Sequence, residues 1–332
     1  MIINETLAKG LKNRFFLEMD EEVIKKLNQL IKDGYKYKQN TNGWEKFSKY
    51  LKQSFNRCAM AFYDGGSASK PYLGFVGLSI DPEREFNKWN EKCLSGTVAV
   101  AILEPFWFDY RQALFNIGEH AISRIYERGK PLVKDGFNVD IPSILPELSA
   151  VPLWAAYWAG TIATFKNFYS NQSDLINNFF PPIPSPNGLF LGEMVIDRYS
   201  SVEIRTFVND SRLSYEQMEV KKLLVEAGDG LENSPLALYP LIEVLKIDEN
   251  FTETAMISHH LLKNYDVLSH VLFYGVKDDK IRKNLQDEFR KFLKENAKFT
   301  NEVLIALYKR IGIRRFHLEV KKSLMRQRSK SN

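Results

Sequence analysis

The sequence predicts an α+β protein: a mostly antiparallel sheet covered by helices, followed by a helical C-terminal half. Three observations carry that prediction. Between Arg57 and Leu103 apolar residues recur with a period of two, in runs separated by turn-forming residues. A second pair of such runs lies at Gly188–Ile196 and Val202–Val208. After Asp210 strand signals nearly cease and helix-start signals recur at short intervals, as in a packed bundle. A soft boundary near Asp210 therefore separates residues 1–210, an α+β domain, from residues 211–332, a helical domain with a basic tail.

Taken in order, Asp20 is placed to cap an amphipathic helix running to about Lys32, with Val23, Leu27 and Ile31 turned inward. A second helix spans about Trp44 to Phe55, with Phe47, Tyr50 and Leu51 as its stripe. Strands follow at Arg57–Tyr63, Tyr72–Ser79 and Thr97–Leu103, the first two joined by the turn-rich Asp64–Pro71. A helix opening at Asn116 can cover this sheet. A buried helix begins at Pro152 and carries Trp154, Tyr157 and Trp158; rings at this spacing belong to a core more often than to a base-stacking platform. Phe179–Pro186 reads as an extended connector, because each proline keeps its predecessor out of the helical region. Beyond Asp210, Ser214-x-x-Gln217 is a capping box behind Leu213 and opens a helix to about Ala227. Ser234-Pro235 opens another to about Ile247, and further helices cover about Glu253 to Lys263 and Lys280 to Lys294.

Composition bounds the classes. At 332 residues the chain can bury a sizeable core in two domains, and 13% aromatic residues exclude a disordered chain. A net charge of +5 permits a nucleic-acid partner without requiring one. Cys58 and Cys93 are too few for a disulfide framework and read as core thiols of a cytoplasmic protein. Met1–Phe16 has no continuous apolar run, so no signal peptide is expected. The longest uncharged stretch, Leu148–Phe165, contains Pro152 and Gly160 and falls short of a membrane span, so no membrane partner is expected.

The chemistry concentrates on Asn116–Pro131. Asn116 is a candidate N-cap with Glu119 completing a capping box, Gly129 sits where a left-handed C-cap is wanted, and Pro131 forbids continuation. Ile117, Ala121, Ile122, Ile125 and Tyr126 form the apolar stripe, while His120, Arg124 and Arg128 follow at intervals of four on the outward edge. Each step of four is about 6 Å along the axis. Phosphodiester cleavage needs a base for the attacking hydroxyl and fixed positive charge for the phosphate oxygens. A histidine one turn into a helix feels the positive end of the dipole, which favours the neutral form that a general base requires. Arginine supplies the planar fork that matches phosphate. The alternative is a plain surface helix, with Glu127 bridging Arg124 and a histidine on its shoulder.

The run His120-Ala121-x-x-Arg124-x-x-x-Arg128-Gly129 resembles the corresponding helix of small toxin-like proteins. These are grouped with the metal-independent ribonucleases of the barnase, EndoU, colicin and RelE type. The resemblance implies that the histidine helix packs on a short antiparallel sheet and that a later strand brings a hydroxyl or a basic residue. Thr206 and Arg205, on the second of the strands at Gly188–Ile196 and Val202–Val208, stand in that place. The expected function is then a toxin- or defence-like endoribonuclease. His120 would take the 2′-hydroxyl proton, Arg124 and Arg128 would hold the scissile phosphate, and Thr206 or Arg205 would assist, with no cofactor. A competing class is a non-catalytic nucleic-acid-binding or scaffold subunit, whose helical half docks a protein partner.

Other candidates weigh less. His259 and His270 would lie about 16 Å apart on one continuous helix, too far to share an ion, and adjacent His259 and His260 point to different faces. No metal-ligand set is therefore expected. Gly65-Gly66-Ser67 lies between strands and is not followed by a lysine and a helix, so it is not a phosphate loop. No nucleophile elbow or dinucleotide fingerprint is present. The run Lys309–Lys330 carries Arg310, Arg314, Arg315, Lys321 and Lys322 with Phe316 and His317 interleaved, and Glu319 is its only acid. It suits either a nucleic-acid arm or a solvated helix end, and Ile313–Val320 reads equally as strand or helix.

Overall fold

A computed structural model describes residues 3–20, 29, 41–67, 70–81, 84–102, 107–111, 115–129, 133–134, 138–152, 154–155, 158, 179–196, 200–228 and 261–294. The architecture is α+β. Helix α1 spans Glu5–Asp20 and α2 Thr41–Phe55. Asp20 ends the first helix, and the helix expected from Asp20 to Lys32 lies outside the described residues but for Gln29, which is helical. In α2, Phe47, Leu51 and Phe55 are fully buried, whereas Tyr50, expected in the stripe, is exposed.

Strands β1 (Ala59–Ser67) and β2 (Lys70–Ser79) pair antiparallel out to Ser67 and Lys70, so they run into the segment expected to be a long turn. Strand β3 (Cys93–Ile102) pairs along β2, and its other edge is shared. Strand β4 (Trp107–Arg111) takes the Val98–Ile102 end, and β5 (Phe115–Gly118) takes Cys93–Ser95. Helix α3 (Glu119–Arg128) follows β5 without a break. A small ribbon, β6 (Val133–Lys134) with β7 (Asn138–Val139), precedes a 3₁₀ segment at Ile141–Leu148. Val151, Pro152, Trp154, Ala155 and Trp158 are helical and buried, as expected of the Pro152 helix.

Part of the expected connector is a strand: β8 (Pro182–Ser185) pairs with β9 (Gly188–Ile196) and closes that end of the sheet. Prolines are tolerated there because an edge strand has donors it need not use. Strand β10 (Ser200–Asn209) pairs with β9 on one side and β5 on the other, giving the order β1-β2-β3-β5-β10-β9-β8 with β4 attached to β3. The sheet is mixed, which corrects the mostly antiparallel expectation. The β5–β10 junction is parallel, Phe115 opposite Val202 and Ile117 opposite Ile204. The cause is β5 itself, of which Asn116, Ile117 and Gly118 were expected to open a helix. The chain leaves β5 as α3 and returns much later in the same direction, as parallel pairing demands.

The helical half shows α4 (Tyr215–Gly228), α5 (Tyr265–Leu272) and α6 (279–294). The predicted capping box forms in full: Gln217 N–H donates to Ser214 Oγ at 3.2 Å, and Ser214 N–H to Gln217 Oε1 at 3.0 Å. Helix α4 lies on β8 and β9 and against α5, and one buried apolar cluster runs from Ile3 to Leu293. Within it Phe15 meets Tyr126 edge-on at 6.3 Å, and Phe55 packs on Phe75 at 4.4 Å. The helix expected at Pro235–Ile247 lies outside the described residues, as do His259, His260 and the whole basic run with Arg310, Arg314, Arg315, Lys321 and Lys322. Only residues 261–263 of the helix expected at Glu253–Lys263 are described, and they are helical. No helix among the described residues is long and apolar enough to cross a membrane.

Candidate functional site

Helix α3 sets the site by where it starts. Asn116 and Ile117 belong to β5, and Gly118 is the N-cap without a side-chain cap, so the expected Asn116–Glu119 capping box does not form. Glu119 N–H donates instead to Lys92 O at 2.8 Å, and its carboxylate pairs with Lys12 of α1. Gly129 is extended, not left-handed, although its N–H still closes the helix on Ile125 O at 2.7 Å. Ala121, Ile122, Ile125 and Tyr126 are fully buried, as the stripe requires. The helix prolongs β5 and lies beside the C-terminal half of β10. Gly118 approaches Ile204 O at one end, and at the other Asn209 Nδ2 donates to Arg128 O at 2.6 Å.

This leaves His120 exposed, with Arg124 and Arg128 half-buried behind it. Arg124 Nε donates to His120 Nε2 at 3.4 Å, while its terminal nitrogen pairs with Glu127. Glu127 Oε1 also stands 3.7 Å from Arg128 Nε, a buried nitrogen with no hydrogen-bond partner among the described residues. Partial desolvation, then the charge of Arg124, hold His120 below its ordinary pKa; Glu91 pulls the other way, and Arg128 and Arg205 add smaller effects in the lowering sense. These surroundings favour the neutral imidazole. Arg205 reaches this neighbourhood because β10 bulges there: Ile204 faces Gly192 and Thr206 faces Leu191, so Arg205 is the extra residue. Thr206 falls on the same sheet face as Glu203, half-buried, and makes no side-chain hydrogen bond among the described residues. The structure thus lines His120, Arg124 and Arg128 along one helix edge. Arg205 pairs with Glu193 at 3.5 Å and lies over Trp89, acting on His120 only through its charge, and Thr206 is not bonded to either group.

A second set of residues escaped the sequence reading. Ser79, Ser95, Asn116, Glu203 and Glu193 stand directly opposite one another across five neighbouring strands, every one of them buried. Leu94, Ile117 and Ile204 form the apolar row on the other face. The polar row is knit together: Ser95 Oγ donates to Asn116 Oδ1 at 2.7 Å, Ser79 and Thr97 hydroxyls meet at 2.5 Å, and Asn116 bonds Glu203. One oxygen is left over, Glu203 Oε2, buried and without a partner among the described residues. Burial raises the Glu203 pKa, Glu193 adds to the rise, and Lys88, Asn116 and Arg84 oppose it. The turn 84–92 covers this face, with Arg84 donating to Ser201 Oγ at 3.0 Å and Lys88 pairing with Glu193. Cys93, beside it, is a free buried thiol pushed up to about 12 by desolvation, so it is inert as a nucleophile.

The signal for these residues was present in the sequence as carboxylates interrupting apolar strands at Glu193 and Glu203. Their register was not. Among the described residues no three of His, Cys, Asp and Glu converge as a metal site. Comparison of the chain with family models, with curated proteins and with solved structures finds no match.

Proposed function

We propose that the protein is a metal-independent endoribonuclease working on the α3 edge. The observation that carries this is the solvent-facing His120 held against Arg124, in surroundings that lower its pKa and favour the neutral imidazole. Nε2 accepts from Arg124 at 3.4 Å, so it is the nitrogen that bears the lone pair, and the substrate hydroxyl displaces Arg124 from it before the proton is taken. In the reaction His120 takes the proton of a ribose 2′-hydroxyl and the 2′-oxygen attacks the adjacent phosphorus. The P–O5′ bond breaks, and the leaving oxygen takes a proton from solvent. The products are a 2′,3′-cyclic phosphate and a 5′-hydroxyl. Arg124, Arg128 and Arg205 balance the charge that develops on the phosphate oxygens.

A second reading is a nucleic-acid-binding or scaffold subunit without catalysis. It draws on Glu127 engaging both Arg124 and Arg128, and on the unbonded Thr206. End-group analysis of an unstructured RNA incubated with the protein in excess EDTA separates the two. The nuclease produces 2′,3′-cyclic ends at an undiminished rate. Intact RNA, or cleavage that requires a divalent ion, removes the mechanism and leaves the binding reading.

A further inference from the structure

Beside the His120 edge, the turn 84–92 gathers aromatic rings and cations. Phe86 is 52% exposed. Trp89 is half-buried, with the Arg205 guanidinium 4.5 Å and the Lys88 ammonium 4.6 Å from its ring centroid. The turn is stiff. Asn87 Oδ1 accepts from Trp89 N–H at 3.0 Å and from Glu91 N–H at 2.9 Å, and Asn87 Nδ2 donates to Glu91 Oε2 at 3.2 Å. Asn90 takes the left-handed conformation, φ 60°, which asparagine tolerates better than most residues. Phe86 and Lys92 form a β-bridge across the base of the turn. Its contact with the catalytic edge is direct, since the Glu91 carboxylate and Asn87 amide pack on Gly118, the residue that opens α3.

A phenylalanine kept in water contributes little to folding, and here it is held in place by a rigid turn. A ring presented on a fixed support beside cations, here Lys88 and Arg205, both held by Glu193 and Trp89, is what an unpaired nucleic acid needs: a face for a base and charges for its phosphates. Paired bases hide those faces inside the stack. We infer that the turn 84–92 is the base-stacking platform of a single-stranded RNA site, Phe86 taking a base while Lys88 and Arg205, held over the Trp89 ring, meet the phosphates beside it. The inference rests on the RNA reading above and names the substrate as unpaired RNA, delivered to His120 from the Gly118 side.

The test uses fluorescence anisotropy with a labelled 2′-O-methyl oligonucleotide, which lacks the attacking hydroxyl, as a single strand and as a duplex of the same sequence. The single strand binds more tightly, and Phe86→Ala weakens it by about 5- to 100-fold, the range expected for one lost base stack. Phe86→Tyr restores binding, and neither variant changes the melting temperature, because the ring is exposed. Duplex bound as tightly as single strand, or Phe86→Ala binding like the parent, overturns the inference even if RNA is cleaved. Phe86-dependent binding without cleavage of natural RNA keeps the platform and removes the nuclease. A parent protein that binds neither strand removes both.

Discussion

Two side chains carry charge states that their surroundings impose. At His120 the cause is desolvation followed by the Arg124 guanidinium, only partly offset by Glu91, and the consequence is a group that titrates below its ordinary value of 6.5. The rate limb follows from the sign: protonation disables the base, so kcat/KM falls as pH drops through a midpoint below 6.5. Arg124→Ala removes the largest charge holding that midpoint down, so a pH–rate profile should show the limb displaced toward higher pH as well as a lower plateau. An unmoved limb would show that the titrating group is not His120. At Glu203 burial acts in the opposite sense and favours the protonated carboxyl. Its folded pKa lies above the unfolded value, so its contribution to stability is complete below about 4.5 and is lost as pH rises through the folded value. Glu203→Gln keeps the shape and an amide for Asn116 but cannot ionise. Melting curves across pH should therefore show the variant gaining on the parent toward neutral pH, the difference closing toward pH 4.5. A constant difference would mean that Glu203 does not titrate with folding. The histidine edge was readable from a spacing of four on one helix. The Glu203 row was not, because it is assembled from five strands whose register a sequence does not state.

The elements that position the site are β5 and the β10 bulge. Helix propensity read Asn116 as a cap, and the reading failed because Asn116 finds better partners across the sheet in Ser95 and Glu203. Four buried residues then continue a strand until Gly118, and the helix is displaced by three residues, giving Ile117 of the expected stripe to β5 and keeping Ala121, Ile122, Ile125 and Tyr126. The capping box at Ser214 was legible because both partners are local and exposed, with no strand competing for them. The bulge depends on Gly192 opposite Ile204: a Cβ there would come within 2.5 Å of Glu203 O, which is backbone and cannot turn away. Gly192→Ala should accordingly cost about 1–3 kcal/mol in chemical denaturation, the scale of overpacking, and push β9 from β10 where Arg205 is presented. Loss of RNA affinity should accompany it. Full stability with full affinity would show that the strands absorb the methyl and that the bulge does not depend on glycine.

Over the whole molecule, the sheet has an apolar face that joins the helices in one core and a polar stretch that the turn 84–92 closes. Period-two runs marked the five longest strands, β1, β2, β3, β9 and β10, and missed the short β4 to β8; mixed parallel pairing was hidden because direction depends on connections rather than on local pattern. Site and fold meet at Gly118, where the sheet ends, the helix starts, and Glu91 and Asn87 pack in from the turn. This arrangement places His120 on the solvent side of a helix whose buried side already supplies the stability. The proposed catalytic role and folding are therefore separable there, and the most direct measurement exploits that separation. Single-turnover cleavage of an unstructured RNA and thermal melting are recorded on purified parent and His120→Ala. The account predicts a rate lowered by about 10² to 10⁴-fold with RNA affinity nearly intact and an unchanged melt. A His120→Ala protein that melts several degrees lower, or that cleaves as fast as its parent, would contradict it.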